Sequence, residues 1–106
     1  MPIKDLSQQI AREIVPGYRA RFVHSEKVTL AYWDIEAGAE LPEHAHPHEQ
    51  LTNVISGTFQ LTIGGETHRL EPGQVAEIPP NVSHSGVAQT VCRLIDVFCP
   101  VREDYR

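Results

Sequence analysis

Little in this chain is basic, sulfur-bearing or continuously apolar. It has 9 lysines and arginines against 14 aspartates and glutamates, a net charge of −5 with the histidines neutral. A nucleic-acid partner needs a basic face to neutralise its phosphates, so the composition argues against one. It leaves room for a small anionic ligand, because a metal and a few arginines can dominate one pocket. No apolar run approaches the roughly 18–20 residues that cross a bilayer. Met1-Pro2-Ile3-Lys4-Asp5 lacks the charged-then-apolar pattern of a secretory signal. Both features point to a cytoplasmic protein with no membrane partner.

There are only 2 cysteines, and no CxxC. Most of the stretch between Cys92 and Cys99 reads as one extended strand, which holds them beyond disulfide reach. Cys92 reads as a small core residue. Repeats, low-complexity tracts and linkers are also missing. The 106 residues suit one domain, residues 1–106, with one hydrophobic core.

What the chain does contain is short strands. Lys4 to Ile14 suggests a short helix, capped by Asp5 or Ser7 and stopped by Pro16-Gly17. Beyond Gly17 the apolar period becomes two. Strands are predicted at Tyr18–His24, Lys27–Ile35, Gln50–Ser56, Thr58–Ile63, Glu66–Leu70, Val75–Ile78, Ser85–Gln89 and Val91–Phe98. Gly64-Gly65 supplies a hairpin turn, and Glu71-Pro72-Gly73 and Pro79-Pro80-Asn81 are further turns. Many short strands between frequent turns indicate an all-β sandwich or barrel.

Three of the 6 histidines crowd into Glu43-His44-Ala45-His46-Pro47-His48-Glu49-Gln50. His44 and His46 are two apart, so in an extended segment both rings leave the same face and can reach one ion. Taken alone, the pattern equally describes surface histidines in a polar loop. Its surroundings read Gly38-x5-His44-x-His46-x3-Gln50-x6-Gly57, and a second stretch reads Gly73-x5-Pro79-x-Asn81-x2-His84. These two stretches, at about 38–57 and 73–88, resemble the paired motifs of the cupins.

The resemblance implies a small cupin, a jelly-roll barrel or double-stranded β-helix with a short N-terminal segment. It implies one divalent transition metal held by His44, His46, Gln50 and His84. Zn, Ni, Fe, Mn and Cu all suit imidazole ligation. The family's glutamate is Gln50 here; the neighbouring Glu49 breaks the motif spacing and points to the other side of a strand. Asn81 stands where the motif has glycine, and asparagine tolerates left-handed backbone. Ala88 replaces a final asparagine. With a neutral amide as fourth ligand the ion keeps its full +2, which favours Lewis-acid chemistry and anion binding over oxygen activation.

The last strand alternates. Cys92, Leu94, Asp96 and Phe98 share one face; Val91, Arg93, Ile95 and Val97 share the other. An aspartate on an apolar face is costly to bury unless paired or functional. It is either an acid partnered by an arginine or an acid/base group aimed at the metal. The string from His44 to Gln50, the string Ile78 to His84 and the ending Asp96 to Asp104 narrow the resemblance. They are similar to the pectin-degradation cupins that linearise 4,5-unsaturated uronates. That similarity implies catalytic roles for Gln50 and Asp96 and sugar contact by Phe98. Arg102 is a candidate for the substrate carboxylate if the C-terminal segment folds over the barrel mouth; Arg19 and Arg21 are weaker candidates. The alternatives are another cupin enzyme (isomerase, lyase or dioxygenase) or a non-catalytic sugar- or acid-binding module. The family also implies a homodimer, with the Val91/Ile95/Val97 face and the N-terminal segment as possible contacts.

Overall fold

The computed structural model describes residues 2–106. The chain runs through ten strands: β1 (Arg12–Val15), β2 (Tyr18–His24), β3 (Thr29–Ile35), β4 (Glu40–His44), β5 (Glu49–Ser56), β6 (Phe59–Ile63), β7 (Glu66–Leu70), β8 (Val75–Ile78), β9 (His84–Ala88) and β10 (Cys92–Cys99). They form two antiparallel sheets, ordered β1-β2-β3-β10-β5-β8 and β4-β9-β6-β7. The neighbours β3–β10 and β10–β5 are far apart in sequence, the signature of a jelly roll. The all-β barrel expected from the sequence is present, and its eight predicted strands lie within two residues of those observed.

The N-terminal helix is not formed. Asp5 does cap a turn, accepting a hydrogen bond from the Ser7 amide at 3.0 Å. That turn is a single 3-10 turn, Leu6–Gln8. Arg12–Val15 then pairs with β2 as a hairpin. Pro16-Gly17 therefore turns the chain between two strands instead of ending a helix. The β-branched pair Ile14-Val15 packs against the core from that strand, as β-branched side chains do on a pleated surface. The sequence reading also omits β4. It lies at a sheet edge, the one place where its Pro42 costs no ladder bond.

Period-two patterning decides what lies inside. Thr29, Ala31, Trp33 and Ile35 of β3 face inward, as do Cys92, Leu94, Asp96 and Phe98 of β10. Phe59, Leu61 and Ala88 close the core from the smaller sheet. Burying a side chain such as Phe98 stabilises by roughly 1.5–3 kcal/mol. Cys92 is a core thiol as anticipated, and both cysteines are free. Of the other β10 face, Val91 is exposed just before the strand, while Ile95 and Val97 are half-buried on the outer surface. Among the described residues, no helix is long and apolar enough to cross a membrane.

Candidate metal centre and active site

The register of the strands assembles the site. His44 ends β4 directly opposite His84 at the start of β9. The chain then leaves the strand, so His46 reaches inward from the loop before β5. On β5, Gln50 lies opposite Phe98 of β10, and Thr52 lies opposite Asp96. Asn81, in the turn before β9, adopts φ 66°, the left-handed geometry expected of a residue in a glycine's place.

His44, His46 and His84 bring one ring nitrogen each within 4.8 Å of one another. Each ring's Nδ1 faces a backbone carbonyl: Pro42 O at 2.9 Å, His48 O at 3.0 Å and Val82 O at 2.9 Å respectively. A carbonyl only accepts, so a hydrogen on each Nδ1 satisfies these contacts and frees each Nε2 to ligate a metal. The His84 Nε2 is buried without a hydrogen-bond partner. The His46 Nε2 lies 2.9 Å from Gln50 Oε1. Burial pushes His46 down to about 4 and lowers His84 as well, aided by Arg102 and the neighbouring rings. Orientated imidazoles whose ring nitrogens converge, one of them a buried Nε2 without a partner, fit a divalent transition metal. The histidines and Gln50 singled out in the sequence therefore converge.

Asp96 lies beside this cluster and is only 6 % exposed. Its Oδ2 accepts from Trp33 Nε1 at 2.9 Å, and its Oδ1 accepts from Thr52 Oγ1 at 2.7 Å. Burial pushes its carboxyl up to about 6, against the opposing pull of the bonds from Thr52, Gln50 and Trp33. Asp96 is not the arginine-paired acid that the sequence offered as one alternative; its hydrogen-bond donors include an indole and a hydroxyl.

The C-terminal segment does reach the site. Arg102 is 6 % exposed, its guanidinium 4.7 Å from the Phe98 ring centroid and 4.1 Å from that of Tyr105. One edge of the fork binds Asp104 through Nε at 3.0 Å and Nη2 at 2.7 Å. The Arg102 amide donates to the buried Thr29 Oγ1 at 2.8 Å, which ties the segment to β3. Arg12 donates to the Tyr105 carbonyl. An interior cavity of about 30 Å³ is lined by His44, Gln50, Thr52, His84, Asp96 and Phe98, with Arg102 and Tyr105 completing its wall.

Arg19 and Arg21 are elsewhere. Arg19 pairs with Glu13 and Glu36 at the surface, and Arg21 pairs with Asp34 on the outer face of the larger sheet. That outer face holds a wider groove of about 380 Å³ beside Arg21, Tyr32 and Arg93, remote from the histidines. His48 is outside the three-histidine cluster, though its carbonyl orientates His46. Sequence reasoning passed over Trp33, Thr52 and Tyr105. The first two carried a usable signal: Thr52 shares the inward parity of Gln50, and Trp33 is the only tryptophan and sits on the inward face of β3.

A jelly roll with this cluster between its sheets is the architecture of the cupins, and the chain belongs to that family: the cupin-domain model matches residues 31–98. Over its whole length the chain is similar to a curated relative, the pectin degradation protein KdgF of Dickeya dadantii. The two are 28% identical over 106 residues, 98% of this chain and 90% of the relative. Among solved structures, KdgF from Halomonas sp. superposes with a TM-score of 0.89 at 27% identity, covering 94% of each chain. An RmlC-like cupin from Shewanella frigidimarina superposes with a TM-score of 0.92 at 30% identity, covering 97% of this chain and 94% of that one.

Proposed function

We propose that this cupin is a metal-dependent enzyme of pectin or alginate breakdown that opens 4,5-unsaturated uronate monomers to linear keto-deoxyuronates. The observation that carries the reading is the placement of one buried carboxylate, Asp96, beside a donor set of three neutral imidazoles and a neutral amide, with Arg102 on the same cavity wall. The similarity to two proteins named KdgF, one of them described as a pectin degradation protein, supports the substrate class.

The reaction is an isomerisation and needs no co-reactant. The anomeric hydroxyl loses its proton, the bond from C1 to the ring oxygen breaks, and C1 becomes an aldehyde. The ring oxygen leaves as an enol, C4 takes up a proton, and C5 becomes a ketone. His44, His46, Gln50 and His84 would hold the divalent metal, which when bound supplies Lewis-acid polarisation of substrate oxygens. Asp96 would take and return the proton as general acid/base. Trp33 and Thr52 fix both of its oxygens, so its orientation is set before substrate arrives. Phe98 would pack against the sugar. Arg102, held flat by Phe98 and Tyr105, would pair with the carboxylate through the edge that Asp104 leaves open.

The reading includes a single domain acting in the cytoplasm as a homodimer, without nucleic-acid or membrane partners. The apolar side chains Leu51, Ile55 and Val75, exposed on the larger sheet, support a second copy as partner. The enzymatic test mixes an unsaturated monouronate with zinc- or nickel-loaded protein and follows loss of the conjugated absorbance. Acceleration over metal in buffer supports the assignment; none would sink it.

A further inference from the structure

The Gln50 carboxamide could present either oxygen or nitrogen to the metal site, and only the oxygen can coordinate. We infer that Thr52 is a positioning residue that decides between them; this rests on the reading of Gln50 as a metal ligand. Trp33 Nε1–H is a donor only and engages Asp96 Oδ2. The Asp96 Oδ1 accepts from Thr52 Oγ1 at 2.7 Å, and this consumes the single hydroxyl hydrogen of Thr52. The Thr52 oxygen then has only lone pairs to offer, so the group facing it at 2.9 Å must be the Gln50 NH2. The carboxamide oxygen is left pointing at His46 Nε2, 2.9 Å away, into the histidine cluster.

Reversing the amide would set its oxygen against a hydroxyl whose hydrogen is already committed to a carboxylate. Two acceptors would then face each other in a buried site, the arrangement that costs most in a protein interior. Without the hydroxyl most of that penalty is lost, and only the weaker pull of the Asp96 carboxylate on the Gln50 NH2 remains. The Gln50 NH2 would be free to rotate and donate to His46 Nε2, which removes the ligand oxygen and blocks a ligand nitrogen with one movement. Thr52 is not itself a ligand in this reading and acts through Gln50. Its backbone position is set by the β5–β10 register, and its hydroxyl links the acid to the ligand.

The test measures zinc affinity by chelator competition, and the absorption spectrum of the cobalt-loaded protein, for wild type, Gln50→Ala, Thr52→Val and Thr52→Ser. The expected result is a ten- to hundredfold loss of affinity in Thr52→Val with an altered cobalt spectrum, the size typical of lost ligand-orientating contacts. Thr52→Ser keeps the hydroxyl and should restore both. Wild-type affinity and spectrum in Thr52→Val, or a serine variant no better than the valine one, would overturn the inference. Gln50→Ala separates the two levels: unchanged affinity there removes Gln50 as a ligand, whereas a loss there with none in Thr52→Val refutes only the role of Thr52. Should Thr52→Val not fold, nuclear magnetic resonance of the Gln50 side chain in wild type decides. Zinc should shift the carboxamide carbon while both amide protons persist and stay protected from exchange; rapid exchange of those protons would overturn the inference.

Discussion

His46 Nε2 and Gln50 Oε1 stand 2.9 Å apart, and with the ring hydrogen on Nδ1 each offers the other a lone pair. That hydrogen faces the His48 carbonyl. Such a contact is repulsive until a cation enters it. Zinc or nickel should therefore stabilise the fold by about 2.7 kcal/mol at a free concentration a hundredfold above Kd. Thermal melts with and without metal check this. Replacing Gln50→Glu adds a charge to the donor set. Affinity should rise roughly tenfold while turnover falls, because the carboxylate cancels part of the ion's Lewis acidity. Chelator competition and kcat on the same variant separate the two effects.

Asp96→Asn should lower kcat by roughly 10²- to 10⁴-fold if the carboxylate moves the proton, with little change in metal affinity. An unaltered kcat would return Asp96 to a structural role. A pure binding module would show weakened or unchanged ligand binding and no turnover in either protein.

The same variant has a consequence for stability in the metal-free protein. The Asp96 carboxyl, pushed up to about 6 by burial from 3.8, holds more protons folded than unfolded between those values. Stability from this group therefore falls as pH rises from about 4 to about 6. His46 acts in the opposite sense. Its folded value, about 4 against 6.5, means the unfolded chain binds the extra proton, so stability is lost as pH falls through the same window. Removing only the carboxylate leaves the histidine slope unopposed. Denaturant melts at pH 4 and pH 7 should show Asp96→Asn gaining on wild type by up to about 3 kcal/mol at the higher pH. A constant difference would show that the carboxylate does not titrate there.

Arg102 is a flat cation between two rings, with a bidentate carboxylate at its edge. Lysine keeps the charge but not the plane or the fork. Arg102→Lys should raise KM on the order of tenfold with kcat less affected, since the residue is placed to hold substrate instead of reacting. Initial rates across substrate concentration read this directly. Equal loss in kcat and kcat/KM would assign it to the transition state instead.

Gly86 lies beneath the buried ring of Phe59; a Cβ on it would come within 2.3 Å of the Phe59 Cζ. Gly86→Ala should destabilise by roughly 1–3 kcal/mol through overpacking, visible as a lower denaturation midpoint. The relief variant Phe59→Leu in the same background should recover part of the loss.

The sequence by itself determined the alternation of faces and the turns, and its resemblance to the cupins picked out the candidate metal-site side chains. Those are local properties: side chains two apart on a strand point the same way, and glycine, proline and asparagine mark bends. His44, His46, Gln50 and His84 were legible as candidates because two short stretches match the cupin motifs. Asp96 was legible because an acid on an apolar face is conspicuous. The tertiary structure decided the rest. The β10–β5 pairing, between residues 44 apart, set Asp96 opposite Thr52 and gave a threonine of no obvious importance the only hydroxyl between acid and ligand. The β3–β10 pairing brought Trp33 to the other carboxylate oxygen. Pro16-Gly17 ended no helix because β2 offered its neighbour a partner strand. Parity shows which way a side chain points; which residue it meets depends on register between distant strands, and that is fixed only when the two sheets close over one core.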